Sequence, residues 1–119
     1  VAPVFHILYD FTCEWHIISK NFPKRDRYTL GERIFSELLA TLTAVTKAQY
    51  ASSFKKLPHL FAASEHINAA IVLIRITNTL GILLDKRYYA VTERLNIIGK
   101  HIGGWIRDTQ PHKNPKHHS

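Results

Sequence analysis

The chain has 119 residues, 45% of them hydrophobic, with 16 Lys and Arg against 9 Asp and Glu and a formal charge of +7. That hydrophobic share supports one domain with a single core and excludes wholesale disorder. The basic excess, with a pI of 9.8, suits polyanionic partners such as RNA, DNA or an acidic protein face, and fits a merely soluble basic protein equally well.

The first helical segment runs from about Val4 to Asn21. Val4, Leu8, Phe11, Trp15, Ile18 and Phe22 follow a 4-3-4-3-4 spacing, one seam of a coiled-coil-like helix. Cys13, the only cysteine, lies in this helix without an evident basic partner, which predicts a buried, inert thiol. One cysteine rules out an intrachain disulfide and fits a reducing cytoplasm. Val1 to Phe11 contains Asp10 and lacks a basic n-region, so no signal peptide is expected. The sequence holds no Met, which predicts a processed or trimmed front end.

Pro23 stops the first helix near Asn21. The connection carries Lys24, Arg25 and Arg27. Thr29 and Glu32 have capping-box spacing, predicting a helix start there. Leu30, Ile34, Leu38, Leu42 and Val45 form its apolar side, and the pattern fades between Tyr50 and Ser53. A third helix begins near Leu57-Pro58 and runs to about Leu80, with Gly81 as a left-handed cap. From Leu57 to Leu84 only Glu65 and Arg75 are charged before Asp85. A helix apolar on most faces is either central to the core or part of a subunit interface. Ile67 to Leu84 has the length of a membrane span, but Arg75 at its middle argues against one. The fourth helix starts at Asp85 as N-cap. Tyr88, Val91, Leu95, Ile98, Ile102 and Trp105 repeat the seam, and the helix ends around Arg107. The expected organisation is a bundle over residues 1–108 and a disordered basic tail over 109–119. Short connections make neighbours antiparallel: an all-α, up-down-up-down four-helix bundle.

The usual chemical signatures are missing. The five glycines do not form a phosphate-binding loop, and one cysteine cannot make a Cys/His zinc pattern. No Glu-x-x-His occurs, as a di-iron bundle would need, and Glu65-His66 are adjacent and so cannot face one site. No catalytic residues, metal or cofactor are therefore expected. The basic residues say more. On the fourth helix Arg87, Arg94 and His101 repeat every seven residues beside the seam, and Lys86, Lys100 and Arg107 take the outward position, interrupted by Glu93. With Lys24, Arg25, Arg27 and Arg33 they predict a basic face contacting mainly phosphates, salt-sensitive and weak in sequence preference.

Two segments together carry a resemblance. One is Phe22-Pro23-Lys24-Arg25-Asp26-Arg27-Tyr28-Thr29-Leu30-Gly31-Glu32-Arg33-Ile34. The other is Asp85-Lys86-Arg87-Tyr88, followed by Ile98-Gly99-Lys100-His101-Ile102-Gly103-Gly104-Trp105. From Tyr9 to Arg107 the chain resembles the four-helix-bundle family of the accessory variability determinant of diversity-generating retroelements. The proteins encoded in 23S rRNA intervening sequences are its relatives. The resemblance implies a non-catalytic protein that assembles as a homopentameric barrel with a basic surface. It implies a reverse transcriptase and nucleic acid, RNA or cDNA, as partners in mutagenic retrohoming. Arg27, Arg33, Arg87 and Lys100 match basic positions of the family's segments. A self-assembling bundle of the intervening-sequence type, without a polymerase partner, is the alternative. The chain departs from the family at Ala69-Ala70-Ile71-Val72-Leu73, where relatives carry several Glu and Arg.

Overall fold

The 4-3-4-3-4 spacing builds α1 (Pro3–Ser19), whose Pro at the first position has φ already set for a helix. The structure is a computed structural model, which describes residues 2–111. All six seam residues, Val4 to Phe22, are buried, with Phe11 and Trp15 fully enclosed. Cys13 is exposed, against expectation. It sits away from the stripe that faces the core, and helix phase overrides the general tendency of cysteine to be buried.

The second helix begins earlier than its capping-box signal. A single α turn (Lys24–Asp26) follows Pro23 at once, and a π-helical turn (Arg27–Gly31) joins it to α2 (Glu32–Tyr50). Thr29 is therefore inside a helix, not capping one. Its hydroxyl donates to the Arg25 carbonyl at 2.9 Å, the backward bond that Thr makes in helix interiors. The extra residue of the π turn shifts the helical phase, which leaves Leu30 only half-buried while Ile34, Leu38 and Val45 are enclosed. Lys24, Arg25 and Arg27 thus stand on helical turns rather than in a loop.

A short 3-10 turn (Ser53–Lys55) leads into α3 (Lys56–Thr79). Gly81 closes it with φ +74, the left-handed conformation expected. The Gly81 N–H reaches the Asn78 carbonyl at 3.0 Å and the Ile82 N–H the Thr77 carbonyl at 2.9 Å, a Schellman ending. α4 (Asp85–Thr109) starts with Asp85 inside its first turn, where the carboxylate faces the positive helix end and accepts from Asn78 Nδ2 at 2.9 Å.

The helices pack as a ring: α1 on α2, α2 on α3, α3 on α4, and α4 back on α1. Each neighbour is antiparallel. The Ala2 N–H donates to Gln49 Oε1 at 2.7 Å at one end, and Trp15 Nε1 donates to the Gly31 carbonyl at 3.1 Å at the other. Ala2, Pro3 and Val4 share a groove with Gly104, Trp105 and Asp108, so the start of α1 lies beside the end of α4. Among the described residues the fold is an all-helical four-helix bundle without strands.

α3 is one wall of the ring rather than its centre. It buries Leu60, Ala63, Ile67, Ala70, Ile74 and Thr77 and leaves Phe61, Val72, Ile76 and Leu80 exposed with Glu65 and Arg75. Residues 53–79 are long and apolar enough to cross a membrane by length and composition. Here one stripe of them, Leu60 through Thr77, fills the core. Of the expected tail, residues 112–119 lie outside the described residues.

Candidate nucleic-acid interface

Antiparallel topology decides where the predicted cations fall. The end of α1, the lead-in to α2 and the start of α4 meet at one end of the bundle. Lys24, Arg25, Arg27, Arg33, Lys86 and Arg87 are therefore on elements that converge there. At 1.5 Å per residue, Lys100 lies about 21 Å and Arg107 about 31 Å further along α4 than Lys86. The continuous basic face expected along α4 is divided into two groups, with Glu93 and the exposed Ile97 between them.

The contacts of these side chains differ. Lys24, Lys86, Arg87, Lys100 and Arg107 are exposed and make no ion pair among the described residues. Arg25 is exposed, with Asp26 a distant 3.9 Å away. Arg27 is half-buried, its guanidinium 4.9 Å from the centre of the Tyr28 ring. Arg94 is committed inward: it pairs with Glu14 of α1 and stacks over the Phe11 ring at 4.9 Å. It belongs to the α1–α4 packing more than to a free surface, because the heptad position beside the seam faces the neighbouring helix. Arg33 is also engaged, 3.4 Å from Glu37.

That Glu37 was not singled out by the sequence. It is 9% exposed and receives two partners, Arg33 on its own helix and His66 Nδ1 of α3 at 2.8 Å. The Arg33–Glu37 spacing is a legible i,i+4 pair; the reach to His66 across 29 residues has no sequence signal. Glu65 is exposed on another face, so the adjacent Glu65 and His66 do serve different surroundings. Among the described residues no three His, Cys, Asp or Glu side chains gather to hold a metal ion.

Within the chain, Gly103 and Gly104 make no close approach to another helix among the described residues. Among the described residues, the Arg107 guanidinium lies nearest their missing Cβ positions, at 3.7 and 3.6 Å. The two glycines leave room for Arg107 to lie back along α4. The glycine that does mediate close approach is Gly31, whose Cβ would come within 3.2 Å of Ser19 Cβ.

The fold defines an all-α four-helix bundle, and Lys24, Lys86 and Arg87, which have no ion-pair partner among the described residues, gather at the end where α2 and α4 begin. The chain belongs to the bAvd-like family, whose model matches residues 6–109. No curated protein and no solved structure matches it. Membership confirms the family resemblance of the sequence and makes the chain an accessory-type protein at the level of the family.

Proposed function

We propose that this protein is a non-catalytic, cytoplasmic accessory factor of a diversity-generating retroelement. It binds a reverse transcriptase and RNA or cDNA through its basic surface, in support of mutagenic retrohoming, and works as a homopentamer. The observation that carries the reading is the family match over residues 6–109. Two structural features support it. Lys24, Lys86 and Arg87 are exposed cations without acidic partners among the described residues, the arrangement that attracts phosphates. Phe61, Val72 and Ile76 leave an apolar outer face on α3, which suits burial between subunits. Five copies would multiply the +7 of each chain and raise the association rate with polyanions.

The test is co-expression with a retroelement reverse transcriptase, followed by size exclusion with light scattering and absorbance at two wavelengths. Capture of the polymerase by a particle of five subunits with nucleic acid is the expected result. The double variant Lys86→Glu/Arg87→Glu should lose the partners and keep its helical content. A pentamer that captures no polymerase and no nucleic acid would replace this reading with the intervening-sequence-type bundle.

A further inference from the structure

One cleft at the basic end has an unusual lining. Between the last turn of α1 and the π turn before α2 lies a space of about 320 Å³, edged by His16, Lys20, Arg27, Tyr28, Glu32 and Phe35. This is within the roughly 300–1,000 Å³ typical of small-ligand clefts. Three features distinguish it from an ordinary solvated surface. Arg27 Nε is buried and has no hydrogen-bond acceptor among the described residues, which leaves a cleft-lining guanidinium short of a partner. Lys20 makes no ion pair among the described residues and shares the cleft with Arg27. Aromatic rings line the same space: Tyr28 is 55% exposed, and the His16 ring lies 5.7 Å from that of Phe35.

We propose that this cleft seats one unstacked nucleotide of a single-stranded nucleic acid. Lys20 and Arg27 take its phosphate, and the Tyr28 ring takes a face of its base. Glu32 would repel a bare inorganic anion, but its carboxylate accepts hydrogen bonds from the amino edge of a base. A base within a duplex has both faces stacked and cannot enter, so the cleft selects single strands. Arg27 and Tyr28 stand on the π turn and share the cleft with His16 and Lys20 of the end of α1. The proposal rests on the nucleic-acid reading above and adds a strand preference to it.

The experiment measures fluorescence anisotropy of a short labelled single strand and of the duplex of the same sequence, at low salt. Wild type, Tyr28→Leu, Tyr28→Phe and Arg27→Gln are compared. Tyr28→Leu should weaken single-strand binding by roughly 5- to 150-fold, the range for losing one stacked base. Duplex binding should be unchanged, and Tyr28→Phe should behave as wild type because the ring remains. Arg27→Gln should weaken the single strand more than the duplex. Equal losses on both probes, or none, would overturn the cleft and leave a general phosphate-binding surface standing. A wild type that binds neither probe would overturn the nucleic-acid reading itself.

Discussion

Trp15 shows how much one side chain sets at the α1–α2 contact. It is fully buried, meets Phe22 edge to face with ring centres 5.7 Å apart, and donates its N–H to the Gly31 carbonyl at 3.1 Å. Trp15→Phe keeps most of the volume but loses the hydrogen bond to the Gly31 carbonyl, so a loss of about 0.5–1.5 kcal/mol is expected in urea unfolding. Trp15→Ala should lose about 3–5 kcal/mol. Arg94 is the opposite lesson. Its heptad position marked it as a contact residue, yet it pairs with Glu14 and covers Phe11. Arg94→Glu should lower the melting temperature by setting two carboxylates face to face, a loss of about 1 kcal/mol at these partly exposed groups. Lys86→Glu should leave melting nearly unchanged. Nothing in a one-dimensional pattern says which cation will find an acid on another helix.

At the scale of elements, three of the four apolar seams were legible because close packing enforces the helical period wherever a side chain meets the core. Val4 through Phe22 and Val91 through Ile102 are buried as their spacing requires. The start of the second helix was not legible. Thr29 and Glu32 have capping-box identities, but Pro23 at the N-cap lets the chain turn helical at Lys24, and the capping signal falls inside. Gly31 then carries the junction. Gly31→Ala should loosen α1 from α2, because its methyl would sit 3.2 Å from Ser19 Cβ, tighter than an ordinary van der Waals contact. The expected readouts are a lower melting temperature and faster hydrogen exchange at the end of α1. Gly81 tests a different effect. Among the described residues nothing lies within 4 Å of its missing Cβ, yet its φ is +74. Gly81→Ala should therefore cost about 1–2 kcal/mol through backbone strain alone, measured as a shift of the urea midpoint without a change in slope.

For the whole molecule, topology separates the charges that the sequence had joined. A helix drawn alone shows Lys86, Lys100 and Arg107 on one line, and only the folded ring shows that the lead-in to α2 reinforces Lys86 and not the other two. The six cations on the converging elements should therefore dominate. Lys86→Glu/Arg87→Glu should reduce the slope of log affinity against log salt more than Lys100→Glu/Arg107→Glu, as read by titration at several salt concentrations. The even number of antiparallel helices has a practical meaning for anyone handling the molecule. Because Ala2 and Asp108 line one groove, a fluorophore or surface tether attached at Ala2 or at Pro111 emerges from the same pole. The length of α4 then stands between the attachment and Lys86, so a sensor chip carrying the protein by either point presents the basic pole outward.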